Sequence, residues 1–193
     1  GWSDALSVDD PTNDTQGGAG ADITNMLITN DGTFLYVAVL FRDSSWYPGI
    51  SDDGLINILF ISTNDMTGTN VLKDVYSWIN ANQTNEAPFD FFLLYNSKSS
   101  TPGEAWGVLN TYDNNPIENW SNTPTNWLAQ PKPVSNAQAI EFRIKLSALG
   151  LNTGDNIKVG FSVVNTNHTS NYEYETVGTN DYSIIPMIQY QIQ

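Results

Sequence analysis

Apolar and polar residues alternate with a period of two through much of this chain. In "AIEFRIKL" (139–146), Ile140, Phe142, Ile144 and Leu146 share one side, while Glu141, Arg143 and Lys145 share the other. "IKVGFSVV" (157–164) repeats this with Ile157, Val159, Phe161 and Val163, and the tail "MIQYQIQ" (187–193) with Ile188, Tyr190 and Ile192. Period two is the spacing of a strand with one covered face. The run Phe34–Phe41 is apolar on both sides of that period, and "LINILFIS" (55–62), "FDFFLLY" (89–95) and "AWGVLNTY" (105–112) read as further strands. The Phe34–Phe41 run is expected in the middle of a sheet, covered on both faces. It follows "ADITNMLIT" across Asn30-Asp31-Gly32, a tight-turn signal between two apolar runs, because these residues tolerate positive φ.

Pro186 ahead of the tail suits an edge strand, where no ladder donor is needed. "LSALGL" reads as one helical turn ended by Gly150. "VLKDVYSWI" (71–79) fits helix and strand alike. The stretch 110–133, rich in Asn, Pro and Trp, reads as a long surface excursion. Many short strands separated by Gly, Asn, Asp and Pro predict an all-β fold. The expected form is an antiparallel, jelly-roll-like β-sandwich with long loops, formed by residues 1–193 as a single domain.

Composition narrows the function. Seven Lys+Arg against 21 Asp+Glu give a formal charge of -14, which disfavours nucleic acid and anionic membrane surfaces. No apolar run approaches the roughly 18 residues of a membrane span. Zero Cys removes disulfide scaffolds, thiolate metal sites and thiol catalysis. Abundant Asn, Ser and Thr with scarce Lys point to an extracellular or cell-surface setting. The start at Gly1, without a signal peptide, suggests that a leader or a neighbouring domain lies upstream. Sequons at Asn13, Asn82, Asn119 and Asn167 would be glycosylated only in a system with that machinery.

Two clusters carry chemistry. Asp9, Asp10, Asn13, Asp14 and Asp22 fall within 14 residues, interspersed with Gly17, Gly18 and Gly20. Calcium takes six to eight oxygens, and crowded carboxylates repel one another unless a cation neutralises them. The same stretch also reads as an acidic, solvated loop. Asp43 ends a strand and Asp53 precedes one; they are expected either to join the cation cage or to form turns. Trp46, Tyr47, Trp120 and Trp127 lie among Asn, Ser, Asp and Pro, where an aromatic face can stack on the C–H face of a sugar. The alternative is that these rings plug the ends of the sandwich.

"GWSD", "DDPTNDTQGGAGADITNMLITNDGTFLYVAVLF" and "IEFRIKLSALGLNTGDNIKVGFSVVNT" together resemble a group of secreted β-sandwich modules. The group includes glucodextranase C-terminal domains, family 9-type carbohydrate-binding modules and DOMON-like domains. The resemblance implies calcium in the acidic loop, with Asp10, Asp14 and Asp22 at the ligand positions. It implies carbohydrate as partner, gripped in the family 9-type modules by paired Trp residues that do not map onto positions here.

Catalysis finds little footing. His168 is the only histidine, and no G-x-S-x-G elbow, phosphate loop or dinucleotide fingerprint is present. Nothing distinguishes a carboxylate pair such as Glu104 and Glu118 for glycoside hydrolysis. The expectation is a non-catalytic, calcium-bearing, carbohydrate-binding module. The rival is a filament or surface-layer subunit that binds copies of itself by exchanging strands at sheet edges.

Overall fold

The computed structural model describes residues 2–12, 22–42, 55–63, 68–71, 84–96, 106–113, 116–119, 125–134, 137–165, 173–177 and 184–193. The described chain is an antiparallel β-sandwich. One sheet has five strands in the order β1-β2-β3-β11-β10: Leu6–Asp9, Ile23–Asn30, Phe34–Phe41, Ala137–Lys145 and Trp127–Val134. The facing sheet runs β13-β12-β4-β7-β8-β9: Glu173–Thr176, Asn156–Asn165, Leu55–Ser62, Phe91–Asn96, Trp106–Thr111 and Pro116–Asn119. The tail strand β15 (Ile188–Gln191) pairs with β12.

Period-two patterning explains the core between the sheets. The inward residues of β3 and β11 (Leu35, Val37, Val39, Ile140, Phe142, Ile144) meet Leu59, Ile61, Leu93, Val159 and Phe161 from the other sheet in one cluster. Phe142 packs on Phe161 across the layers, with ring centroids 5.9 Å apart.

A third layer was not foreseen. Thr69–Val71 (β5), Thr84–Phe89 (β6) and Ile184–Ile185 (β14) form a small sheet against the back of the six-strand path. Ile58, Phe60, Phe92 and Leu94 turn that way and meet Phe89, Ile185 and Met187. This explains the continuous apolar runs: residues 57–62 of β4 are all buried, because the strand is covered on both faces. β3 is central in its own sheet, but its outward Phe34, Tyr36 and Leu40 are only half-buried.

Local expectations meet mixed outcomes. The β2–β3 hairpin forms as read, yet Gly32 is not among the positive-φ glycines. The turn is instead held by the Asp31 carboxylate, whose Oδ1 accepts from the N–H groups of Thr33 (2.7 Å) and Phe34 (2.8 Å). The short turn Leu146–Ala148 is present, and Gly150 ends it with φ 69°. "FDFFLLY" is two strands broken at Asp90, whose Oδ2 accepts from the N–H and hydroxyl of Thr63.

The supposed excursion 110–133 contains two strands, β9 and β10. Pro131 and Pro133 hid β10, yet both are tolerated because β10 pairs only with β11 and forms the sheet edge. The tail pairs with its own chain: Ile192 is 1% exposed, and its N–H donates to Asp155 O at 2.9 Å.

Candidate functional site

The register of the five-stranded sheet builds a cavity of about 450 Å³ on its outer face. Thr29 opposes Tyr36, Tyr36 opposes Arg143, and Arg143 opposes Leu128. One row across β2, β3, β11 and β10 is therefore hydroxyl, phenol, guanidinium and isobutyl, and all four line the cavity. In the next row Glu141 opposes Ala38, whose small side chain leaves depth beside the aromatic ring of Tyr36. Strands fix these positions, so the floor is a rigid scaffold rather than a loop.

Trp2 forms one wall. It sits in the short turn Trp2–Asp4, closed by Ala5 N–H donating to Trp2 O at 3.2 Å. Its indole Nε1–H donates to Glu141 Oε1 at 3.3 Å, which turns the half-buried ring over the sheet. Asn30 and Asp31 form the opposite rim. Asn30 Oδ1 accepts from Tyr190 Oη at 2.8 Å and Gln193 N–H at 2.9 Å, tying the tail strand to the hairpin.

The electrostatics follow from the bonding. Asp31 is held below the usual aspartate range, chiefly by the Phe34 N–H, then by the Thr33 N–H and the Tyr36 hydroxyl, which donates to Oδ2 at 2.8 Å. Tyr36 is pushed up, first by burial and then by the proton it shares with Asp31. Arg143 lies over the Phe34 ring, its guanidinium carbon 4.7 Å from the centroid. The cavity thus joins apolar walls to a few oriented polar groups and falls within the roughly 300–1,000 Å³ of small-molecule sites.

Among the described residues expected to bind ligand, Trp127 does not line this cavity. Trp46, Tyr47 and Trp120 lie outside the described residues. Trp127 requires a correction. It begins β10, is 1% exposed, and points into the core with Nε1 donating to Glu118 O at 2.9 Å. A ring so enclosed has no face to offer a sugar. Its polar neighbours belong to the turn before it, which made it resemble a loop residue.

Glu118 is a turn clamp. Burial pushes its pKa up, but donors from Thr125, Asn126 and Trp127 together hold it below the usual value. Trp2 and Tyr36 were missed as site residues. The only signal was that Tyr36 places a polar-tipped ring on the outer side of an apolar strand, while Glu141 and Arg143 read as ordinary solvent-side charges.

The acidic cluster is described in part. Asn13, Asp14, Asp43 and Asp53 lie outside the described residues. Asp9, Asp10 and Asp22 stand at neighbouring strand ends, since Asp10 N–H donates to Thr24 O and Arg42 N–H to Asp22 O. Asp10 is 7% exposed and Asp22 0%; Asp9 is exposed and accepts from Asn25 Nδ2. Arg42 Nη1 pairs with Asp22 Oδ2 at 3.1 Å, so the protein itself offsets one buried charge. Among the described residues no three acids converge as a metal-binding set. A calcium ion here would draw on Asp10 and Asp22 together with oxygens from outside the described residues.

No family model and no curated protein sequence matches the chain. Among solved structures, the chain is similar to a family 9 carbohydrate-binding module from Caldicellulosiruptor kristjanssonii in complex with cellotriose. That likeness covers 100% of this chain and 85% of that one, at 11% identity and a TM-score of 0.47. A structure of such a module from the same organism in complex with glucose gives 11% identity, 100% and 87% coverage and a TM-score of 0.48.

Proposed function

We propose that this chain is a non-catalytic carbohydrate-binding module that works outside the cell and carries a structural calcium ion in its N-terminal acidic loop. One observation carries the binding reading: the outer-face cavity sets the rings of Trp2 and Tyr36 beside Thr29, Glu141 and Arg143. A pyranose has apolar C–H faces and a rim of hydroxyls, and this pairing of ring and hydrogen-bonding group matches both. The -14 charge is consistent with a partner other than nucleic acid.

Asp31 is not suited to be a general acid for glycoside hydrolysis. A glycosidic general acid needs a raised pKa, whereas the Phe34 and Thr33 N–H groups and the Tyr36 hydroxyl hold Asp31 down. Burial of Asp10 and Asp22 at adjoining strand ends supports the calcium reading, because two carboxylates held close together favour a shared cation.

Titration of the protein with glucose and cellotriose, followed by tryptophan fluorescence, tests the binding reading. Saturable quenching or a blue shift is expected, with affinity reduced about tenfold in Trp2→Ala, equivalent to ~1.4 kcal/mol. A broad glycan panel extends the test to other sugars. If no member of that panel binds at millimolar concentration, the carbohydrate reading is wrong.

A further inference from the structure

The cations around the cavity indicate which class of sugar it takes. The chain has only seven Lys+Arg among 21 acids, so each would be expected to find a carboxylate. Arg143 and Lys145, both half-buried on the outward side of β11, have none within 4 Å among the described residues; the ion pair there is Arg42 with Asp22. The buried Nε–H of Arg143 lacks an acceptor among the described residues. Its guanidinium lies over the Phe34 ring. Lys145 is two positions from Arg143 on the same side of β11 and opposes Phe34 in the register.

Neither carboxylate of the cavity forms an ion pair with Arg143, although Asp31 and Arg143 attract one another through space. Asp31 is engaged by Thr33, Phe34 and Tyr36. Glu141 lies on the far side of Arg143 along β11 and accepts from Trp2. Along β11 itself the charges run from the acid Glu141 to the cations Arg143 and Lys145, with the engaged carboxylate of Asp31 near the cationic end. A planar guanidinium matches a carboxylate in two parallel bonds, a geometry that a single hydroxyl does not provide.

We propose that the cavity selects an acidic saccharide, with the sugar carboxylate set against Arg143 and Lys145 and its hydroxyls toward Glu141. This rests on the carbohydrate reading above and adds the charge of the ligand.

The test compares D-glucuronic acid with D-glucose by calorimetric titration of the intact chain at low and at 0.5 M salt, with acetate as a control. Glucuronic acid is expected to bind at least about tenfold more tightly than glucose at low salt, with the advantage shrinking as salt screens the charges. Arg143→Gln should bring the ratio close to one. Lys145→Gln, a milder surface change that guards against a folding defect in the first variant, should lower it partway. Glucose binding as tightly as glucuronic acid overturns the acidic preference and leaves the carbohydrate reading intact. Failure of both sugars and of the broad panel overturns both. Acetate binding as tightly as glucuronic acid overturns the site as one for a sugar.

Discussion

Asp31 shows how one side chain serves both fold and site. Its carboxylate closes the β2–β3 turn through two backbone N–H groups and anchors the hydroxyl of Tyr36, whose ring lines the cavity. Because its folded pKa is depressed, the stability it contributes is present above the unfolded aspartate value of roughly 3.9 and is lost as pH falls through the lower folded value. Asp31→Ala is therefore expected to destabilise the protein at pH 7 by about 1 kcal/mol, a modest figure because water screens this exposed turn. The gap between variant and parent should close progressively in thermal melts below about pH 4. A gap of constant size down to pH 2 would mean that the ionised carboxylate is not what holds the turn. Asp31 was legible as a turn residue, since Asn-Asp-Gly lies between two apolar runs. Its grip on Tyr36, five positions away, depends on the strand geometry.

Among the elements, β10 departs furthest from the expected organisation. Its prolines and polar neighbours suggested an excursion, yet it pairs with β11 from Trp127↔Ile144 to Val134↔Ala137. Trp127 anchors the strand start, and Gly107 of β8 leaves room for its ring. A Cβ at Gly107 would lie 2.5 Å from Leu94 O and 2.6 Å from Trp127 Cη2. Neither the backbone oxygen nor the enclosed ring has space to retreat. Gly107→Ala is expected to cost about 1–3 kcal/mol, read as a lower urea midpoint at unchanged slope. Parental stability in that variant would show that the ring does not occupy this place. An edge strand with two prolines also resists accepting a foreign strand, because each proline lacks the N–H that a ladder needs.

For the whole molecule, the question is how the acidic strand ends coexist. Asp10 and Asp22 are buried at the adjoining ends of β1 and β2, and Arg42 pairs with Asp22. Under the calcium proposal, metal binding is linked to folding. At a free calcium concentration 100 times Kd it adds about 2.7 kcal/mol. For a chain of 193 residues, chelation should then lower Tm by about 5–10 °C, and added calcium but not potassium should restore it. A melting curve indifferent to chelator would remove the metal from the account. The cavity and its sugar test would stand, because the outer face of the sheet is built without those acids.

What the sequence by itself determined is the set of local alternations. Period two in 139–146 and 157–164 assigns inside and outside, because successive side chains on a strand point to opposite faces. The runs at 55–62 and 89–95 announce strands, though not the third layer that covers the first of them on its second face. Tertiary structure alone decided which strands became neighbours. That choice set Tyr36, Arg143 and Leu128 in one row, swung Trp2 over Glu141 from 139 positions away, and turned Trp127 inward. A cavity depends on side chains from distant segments sharing one face. No local period records such a meeting, because pairing between strands is a property of the sheet and not of any one strand.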